Sequence, residues 1–167
     1  MDMYQQVLAI QPDNPLALEA LRRLALQTQR WSVYVEVLTR SAECAESPEE
    51  AAQYLLAAAR VQTKRLEVVD QALYTLLKAL EYAPEDLVIL RQIEILYEQN
   101  QRCDEVVKVL RREAEVTDDP RERVPILFKL GNILESELGQ AEEAVTVLQE
   151  AVTLMPSYVP AKQALGR

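Results

Sequence analysis

The chain has 167 residues, of which 49% are hydrophobic and 27% are charged, and its 18 basic and 27 acidic residues give a net charge of −9. This acidic balance argues against nucleic acid as a partner, because binding to phosphates needs clustered basic residues. Three glycines and one phenylalanine are too few for a β-sandwich or barrel, whereas the helix formers Ala, Leu, Glu, Gln and Arg dominate. An all-α fold is expected.

The sequence also limits the environment and the cofactors that we expect. It has no stretch of 18 apolar residues and no basic and apolar leader, which predicts neither a membrane span nor export. Its two cysteines, Cys44 and Cys103, lie 59 residues apart and it has no histidine, so a disulfide framework and a zinc site are both disfavoured. We therefore expect a cytoplasmic protein that carries no metal and no cofactor.

Five of the eight prolines fall at a constant spacing of 36 residues, at Pro12, Pro48, Pro84, Pro120 and Pro156. A constant period between about 20 and 50 residues is typical of a solenoid, in which each repeat buries its apolar face against its neighbours. The prolines therefore predict a repeat protein.

Alternate repeats also share residues over a period of 72. Laying 12–47 on 84–119 gives 12 identities in 36 positions, and laying 48–83 on 120–155 gives 7. The predicted unit is therefore a 72-residue pair of unlike 36-residue repeats.

Within each repeat the apolar residues recur at helical spacing, and their phase slips once near the middle, which indicates two amphipathic helices. The predicted first helices, called A helices, span 15–28, 49–64, 86–99 and 121–137. The predicted second helices, called B helices, span 31–45, 67–82, 103–117 and 141–154. Ser47 and Asp119 each precede a proline and lie three residues before a glutamate, a pattern that predicts a capping box at an A-helix start.

The fourth repeat resembles a tetratricopeptide (TPR) repeat most clearly. The family pattern has a Leu-Gly pair in helix A, then a small residue, a larger residue and an alanine along helix B, and a closing proline. The fourth repeat matches it with Leu130-Gly131, Ala144, Leu148, Ala151 and Pro156. The second repeat matches the last four of these positions with Ala72, Leu76, Ala79 and Pro84. The resemblance implies a right-handed α-solenoid of antiparallel helix pairs, the TPR superhelix. The chain as a whole resembles part of a longer, bacterial type of multi-TPR array.

The predicted organisation is a single TPR-like solenoid over 1–167. It consists of a partial B helix at 1–11, the repeats 12–47, 48–83, 84–119 and 120–155, and a partial A helix at 156–167.

The first and third repeats depart from the TPR pattern at two places where small residues are expected. The A-helix position holds Arg22 in the first repeat and Glu94 in the third, and the late B-helix position holds Ser41 and Glu113. The sequence leaves open whether the first and third repeats keep the close helix packing of a TPR at these points.

Several acidic segments could be interpreted as catalytic or metal sites. Asp118 to Glu122 has the spacing of a magnesium–diphosphate motif, and the pairs Glu49-Glu50, Glu85-Asp86 and Glu142-Glu143 could act as acid and base. All of them open helices, where capping and the helix dipole account for negative charge. Cys103 has no histidine to act as its base. The sequence therefore predicts no catalytic residue, no metal site and no enzyme.

The TPR resemblance implies that A helices line a concave groove that binds a partner. Carried onto this sequence, the groove residues are Arg23, Gln27, Gln53, Arg60, Lys64, Arg91, Gln92, Gln99, Phe128, Lys129 and Asn132. This set is basic although the chain is acidic, which favours an acidic peptide or protein as the ligand.

The expected function is that of a scaffold or adaptor that binds a protein partner in this groove. Two alternatives remain: a homo-oligomeric assembly module that stacks through its open ends, and a regulatory arm of a larger enzyme.

Overall fold

A computed structural model of the protein describes residues 2–11 and 13–166, and every regular element in those ranges is helical. Pro12, the first proline of the predicted period, lies outside the described residues, as do Met1 and Arg167. The α-helices are α1 (Asp2–Ile10), α2 (Pro15–Gln27), α3 (Trp31–Glu43), α4 (Pro48–Val61), α5 (Val69–Tyr82), α6 (Leu87–Gln99), α7 (Cys103–Val116), α8 (Pro120–Ser136), α9 (Ala141–Leu154) and α10 (Val159–Leu165).

The predicted A and B helices are confirmed, with most bounds within two residues of the observed ones. The exception is the end of the second A helix, which was expected at residue 64. There α4 ends at Val61 and the chain continues as a π-helical segment, Gln62–Leu66, before Glu67 turns into the left-handed region at φ 56°. Arg65 of this segment lies 5.1 Å above the centre of the Trp31 ring, a cation–π contact with the start of α3.

The turns inside the helix pairs alternate with the predicted period of 72. Positive φ angles occur at Gln29 and Gln101, which are 72 residues apart, and at Glu67 and Gly139, which are also 72 apart. Gln29 and Gln101 lie in turns of three residues, whereas the other two lie in longer connections. The turns inside the helix pairs therefore alternate between a short kind and a longer kind along the chain.

The chain divides into two compact units, unit 1 within Met1–Ile89 and unit 2 within Leu90–Arg167. In unit 1, helices that are neighbours in sequence pack on one another from α1 to α5. Its interior includes Leu18, Leu21 and Val37, and α4 contributes four nearly inaccessible alanines at 51, 52, 58 and 59. These small side chains let α4 approach α3 and α5 closely.

In unit 2, α8 packs against α7, α9 and α10 around a core that includes Leu110, Leu127 and Leu134. Gly131 of α8 faces Leu148 of α9 at a distance that leaves no room for a side chain. A Cβ atom added to Gly131 would lie 2.7 Å from Leu148 Cγ. The close approach of these two helices therefore depends on glycine at this position.

Capping side chains mark the starts of several A helices. Asn14 Oδ1 accepts from the N–H of Ala17 at 3.0 Å, and Ser47 Oγ accepts from the N–H of Glu50 at 3.1 Å. Glu50 Oε2 accepts from the N–H of Glu46, one residue before the serine, so the predicted capping box is modified. Asp119 departs further from the capping-box pattern, because its carboxylate accepts a hydrogen bond from the N–H of Arg121 and not from the N–H of Glu122.

Removal of the Ser47 hydroxyl provides a direct measure of one cap. We expect Ser47→Ala to lower the free energy of unfolding by about 1 kcal/mol, because the Glu50 N–H at the start of α4 loses its acceptor. Urea unfolding followed by circular dichroism measures the change. Ser32→Ala, at an exposed position near the start of α3, is the matched control and should change stability by less than about 0.5 kcal/mol.

Candidate ligand-binding surfaces

The predicted groove residues of unit 1 are all exposed. Arg23 and Gln27 lie one turn apart on α2, Gln53 and Arg60 lie two turns apart on α4, and Lys64 lies in the π-helical segment. Within the described part of the chain, the three cations Arg23, Arg60 and Lys64 form no ion pair. Their charges are therefore available to a ligand.

The basic residues predicted for the groove in unit 2 are paired. Nη2 of Arg91, on α6, lies 3.4 Å from Oε2 of Glu122, on α8. Lys129 Nζ of α8 lies 2.7 Å from a carboxylate oxygen of Glu94 and 2.7 Å from one of Glu98. Sequence periodicity did not predict these pairs, because their members lie about 30 residues apart and meet only when α6 packs beside α8.

The remaining predicted residues of unit 2 differ in exposure. Gln99 is exposed at the end of α6, whereas Gln92 and Asn132 are half-buried. Phe128 is also half-buried and packs edge-on against Tyr158, with 5.7 Å between the ring centres. The Phe128 ring therefore contributes to the core of unit 2 as well as to its surface.

Unit 1 contains a cavity of about 350 Å³ where the first turns of α2 and α4 meet the end of α3. Leu18 forms part of its apolar wall, and Ser41, Cys44 and Tyr54 also line it. Its charged lining residues are Asp13, Glu19, Arg22, Glu46 and Glu50. Only one feature of the sequence pointed to this cavity, the departure of Arg22 and Ser41 from the small residues of a TPR repeat.

The electrostatics of this cavity are acidic, opposite to the predicted groove. Four carboxylates line it against a single cation, Arg22, which pairs with Glu19. Partial burial raises the pKa of Tyr54, and the hydrogen bond to Glu50 raises it further, so the phenol stays protonated at neutral pH. The start of α4 is therefore acidic, and its end, at Arg60 and Lys64, is basic.

Glu94 and Glu113 form a buried acid pair in unit 2, between α6 and α7. Glu113 is 2% exposed and Glu94 is 8% exposed. Burial raises the pKa of Glu113 to about 7, and the neighbouring charge of Glu94 raises it as well. For Lys129, burial lowers the pKa, but hydrogen bonds to Glu94 and Glu98 outweigh it and the net pKa is raised.

Two carboxylates of the acidic segments that resembled catalytic or metal sites cap helices in the structure. Asp86 Oδ1 accepts from the N–H groups of Val88 and Ile89 at the start of α6, and Asp119 caps α8. No group of three or more His, Cys, Asp or Glu side chains that could hold a metal ion occurs in residues 2–11 and 13–166. Cys44 and Cys103 are free thiols. No helix in those same ranges is both long enough and apolar enough to cross a bilayer.

No protein-family model and no curated protein sequence matches the chain. Several solved structures, in contrast, are similar to the chain. The crystal structure of MamA matches at a TM-score of 0.55 with 15% identity, covering 93% of this chain and 86% of MamA. The TPR protein YrrB, described as having an unusual peptide-binding site, matches at 0.52 with 16% identity, covering 98% of this chain and 80% of YrrB.

A third similar structure is the N-terminal domain of stress-induced protein-1 (STI-1) from C. elegans, with a TM-score of 0.59 and 16% identity. The match covers 74% of this chain and 100% of the STI-1 domain. At these identities the likeness establishes the fold alone. The prediction of an all-α helical repeat of the TPR type is confirmed: the chain has a TPR-type fold.

Proposed function

We propose that the chain is a non-enzymatic protein-binding module whose ligand is an acidic peptide or an acidic segment of a protein. The observation that carries the proposal is that the three predicted groove cations of unit 1, Arg23, Arg60 and Lys64, are exposed and form no ion pair with a described residue, on a chain with a net charge of −9. Arg forms bidentate hydrogen bonds with carboxylates, which favours this class of ligand. The peptide-binding site described for YrrB, a protein of the same fold, supports the same function.

The charge gradient along α4 limits how such a ligand lies on unit 1. The acidic cavity lies at the start of α4, whereas Arg60 and Lys64 lie at its other end. An extended ligand with one acidic stretch is attracted to the second end and repelled from the first. Part of the gradient also complements the dipole of α4, so the cations stabilise the helix as well.

Charge reversal at the end of α4 tests this proposal. We expect Arg60→Glu/Lys64→Glu to weaken binding of a fluorescent ten-residue Asp/Glu peptide at least tenfold, because two attractive contacts become repulsive. Fluorescence anisotropy at low and moderate salt measures the affinity, and wild-type binding should weaken with added salt.

The matched control is Arg121→Glu/Lys162→Glu, which changes the net charge equally at exposed positions of α8 and α10. It should bind the peptide with an affinity within about twofold of wild type. Equal losses in both double variants would assign binding to net charge, and no loss in either would contradict the proposed surface.

Self-association is a second candidate function, favoured by α1. Met3, Val7 and Ile10 lie on one face of that helix, with Met3 73% exposed and Ile10 83% exposed. An apolar face of this kind is typical of an interface. We expect Met3→Asp/Ile10→Asp to reduce the mass of any assembly found by analytical ultracentrifugation, and a wild-type chain that stays monomeric at high concentration would contradict this candidate.

A further inference from the structure

The buried acid pair of unit 2 has no part in the binding surface proposed for unit 1. Glu94 and Glu113 replace two small residues of the TPR pattern, and their side chains meet in the interior. Glu113 Oε1 receives no hydrogen bond from a donor in the described part of the chain. Its carboxyl group lies close enough to that of Glu94 for the two to share a hydrogen bond, and two carboxyl groups form such a bond only when one of them carries a proton.

The charged groups around the pair are contributed by α6 and α8. Arg91 and Glu98 lie on α6 with Glu94, and Lys129 lies on α8. Of these, Lys129 makes direct contact with Glu94, at 2.7 Å, and Glu98 binds the same ammonium group. Glu94, Glu113 and Lys129 together are neutral when the acid pair holds one proton, and they carry one net negative charge when it holds none.

We propose that the Glu94–Glu113 pair is a proton-binding site that controls how firmly Lys129 is held, so that an acidic ligand binds at Lys129 more tightly as the pH falls. This inference rests on the proposed function, because it assigns Lys129 to the same class of ligand. Two effects act in the same direction. Without its proton the pair attracts the ammonium group more strongly. The charge of Lys129 lowers the pKa of Glu113, so when a ligand withdraws Lys129, Glu113 holds its proton more tightly.

Binding measured at two pH values tests the linkage. The probe is the same ten-residue Asp/Glu peptide, whose carboxyl groups, with pKa values near 4, are ionised at both pH 6 and pH 8. We expect wild type to bind the peptide about three- to tenfold more weakly at pH 8 than at pH 6. Glu113→Gln should bind it with the same affinity at both pH values, because the amide cannot lose a proton. Calorimetry in buffers of different ionisation enthalpy should show proton uptake on binding by wild type alone.

Glu115→Gln is the matched control, because Glu115 is an exposed carboxylate on the same helix, α7. It should retain the pH dependence of wild type. Peptide binding that is equally tight at both pH values in wild type, without proton uptake, would overturn the linkage and leave the proposed function standing.

A measurement without ligand separates the two proposals. Lysine acylation read by mass spectrometry gives the reactivity of Lys129 relative to Lys64, which is exposed, and the ratio cancels the pH dependence of the reagent. We expect the ratio to fall from pH 6 to pH 8 in wild type and to stay constant in Glu113→Gln. If the peptide binds at neither pH, the proposed function fails, and a wild-type ratio that does not change with pH overturns the proton-binding site by itself.

Discussion

Replacing Gly131 by valine should destabilise unit 2 by about 3 kcal/mol. A Cβ atom at this position would lie 2.7 Å from Leu148 Cγ and 2.8 Å from Leu148 Cδ2, and Leu148 is 2% exposed. The leucine cannot move aside without displacing other core residues, so α8 and α9 must separate. Urea unfolding followed by circular dichroism measures the loss, and hydrogen exchange in α8 and α9 shows where it occurs.

Two further variants test the cause. Gly131→Ala gains about 1 kcal/mol in helix propensity, so its net loss should be smaller than that of valine. Leu148→Ala shortens the opposing side chain and makes room for the new Cβ atom. The double variant Gly131→Ala/Leu148→Ala should therefore lose at least about 1 kcal/mol less free energy of unfolding than the sum of the losses of the two single variants.

Gly166→Ala is the control, because a Cβ atom there has no neighbour closer than 3.7 Å. It should change stability by less than about 0.5 kcal/mol. A valine at position 131 that costs no more than this control would contradict the packing at Leu148.

Replacing Glu113 by glutamine should stabilise the protein at pH 8 and have little effect at pH 4.5. Folding raises the pKa of Glu113 from 4.5 to about 7, because of burial and the neighbouring Glu94. As the pH rises through 4.5, the unfolded chain releases this proton and the folded chain retains it, so the free energy of unfolding decreases. Above about pH 7 this decrease in the free energy of unfolding reaches its full value, no more than about 3 kcal/mol, and does not change further with pH.

The measurement is the free energy of unfolding from pH 4.5 to pH 8 in wild type, Glu113→Gln and Glu115→Gln. The glutamine amide can donate to the Glu94 carboxylate, so the variant keeps a hydrogen bond and loses the titration. We expect the difference between wild type and Glu113→Gln to grow with pH and the difference between wild type and Glu115→Gln to stay constant. A stability difference for Glu113→Gln that does not depend on pH would show that position 113 does not titrate in the folded protein.

The helices could be predicted closely from the sequence because the signals that define them are local. Apolar residues at helical spacing, prolines in first turns and capping side chains act within a few residues of one another. The alternation of two helix-pair types also followed from the period of 72, and the turns at Gln29 and Gln101 show its physical basis. The π-helical segment was not predicted, because it lacks a Pro or Gly that would mark an interruption of α4.

The binding surfaces could be predicted only in part. The sequence places Arg60, Lys64 and Lys129 on A helices, and their assignment to a partner-binding groove stays a prediction. Only the structure shows that Lys129 is held by Glu94 and Glu98, while Arg60 and Lys64 form no ion pair within the described ranges.

Helix positions, repeat length and fold class were determined by the sequence alone, since the helices depend on residues close together in the chain and the repeat length is read directly from residues that recur every 36 and 72 positions. The tertiary structure decided which charges neutralise one another, and it formed both the acidic cavity beside Tyr54 and the buried pair of Glu94 and Glu113. These features depend on side chains about 20 to 40 residues apart that meet when separate helices pack. In the buried pair, burial then raises the pKa of Glu113, because a carboxyl group removed from water binds its proton more tightly.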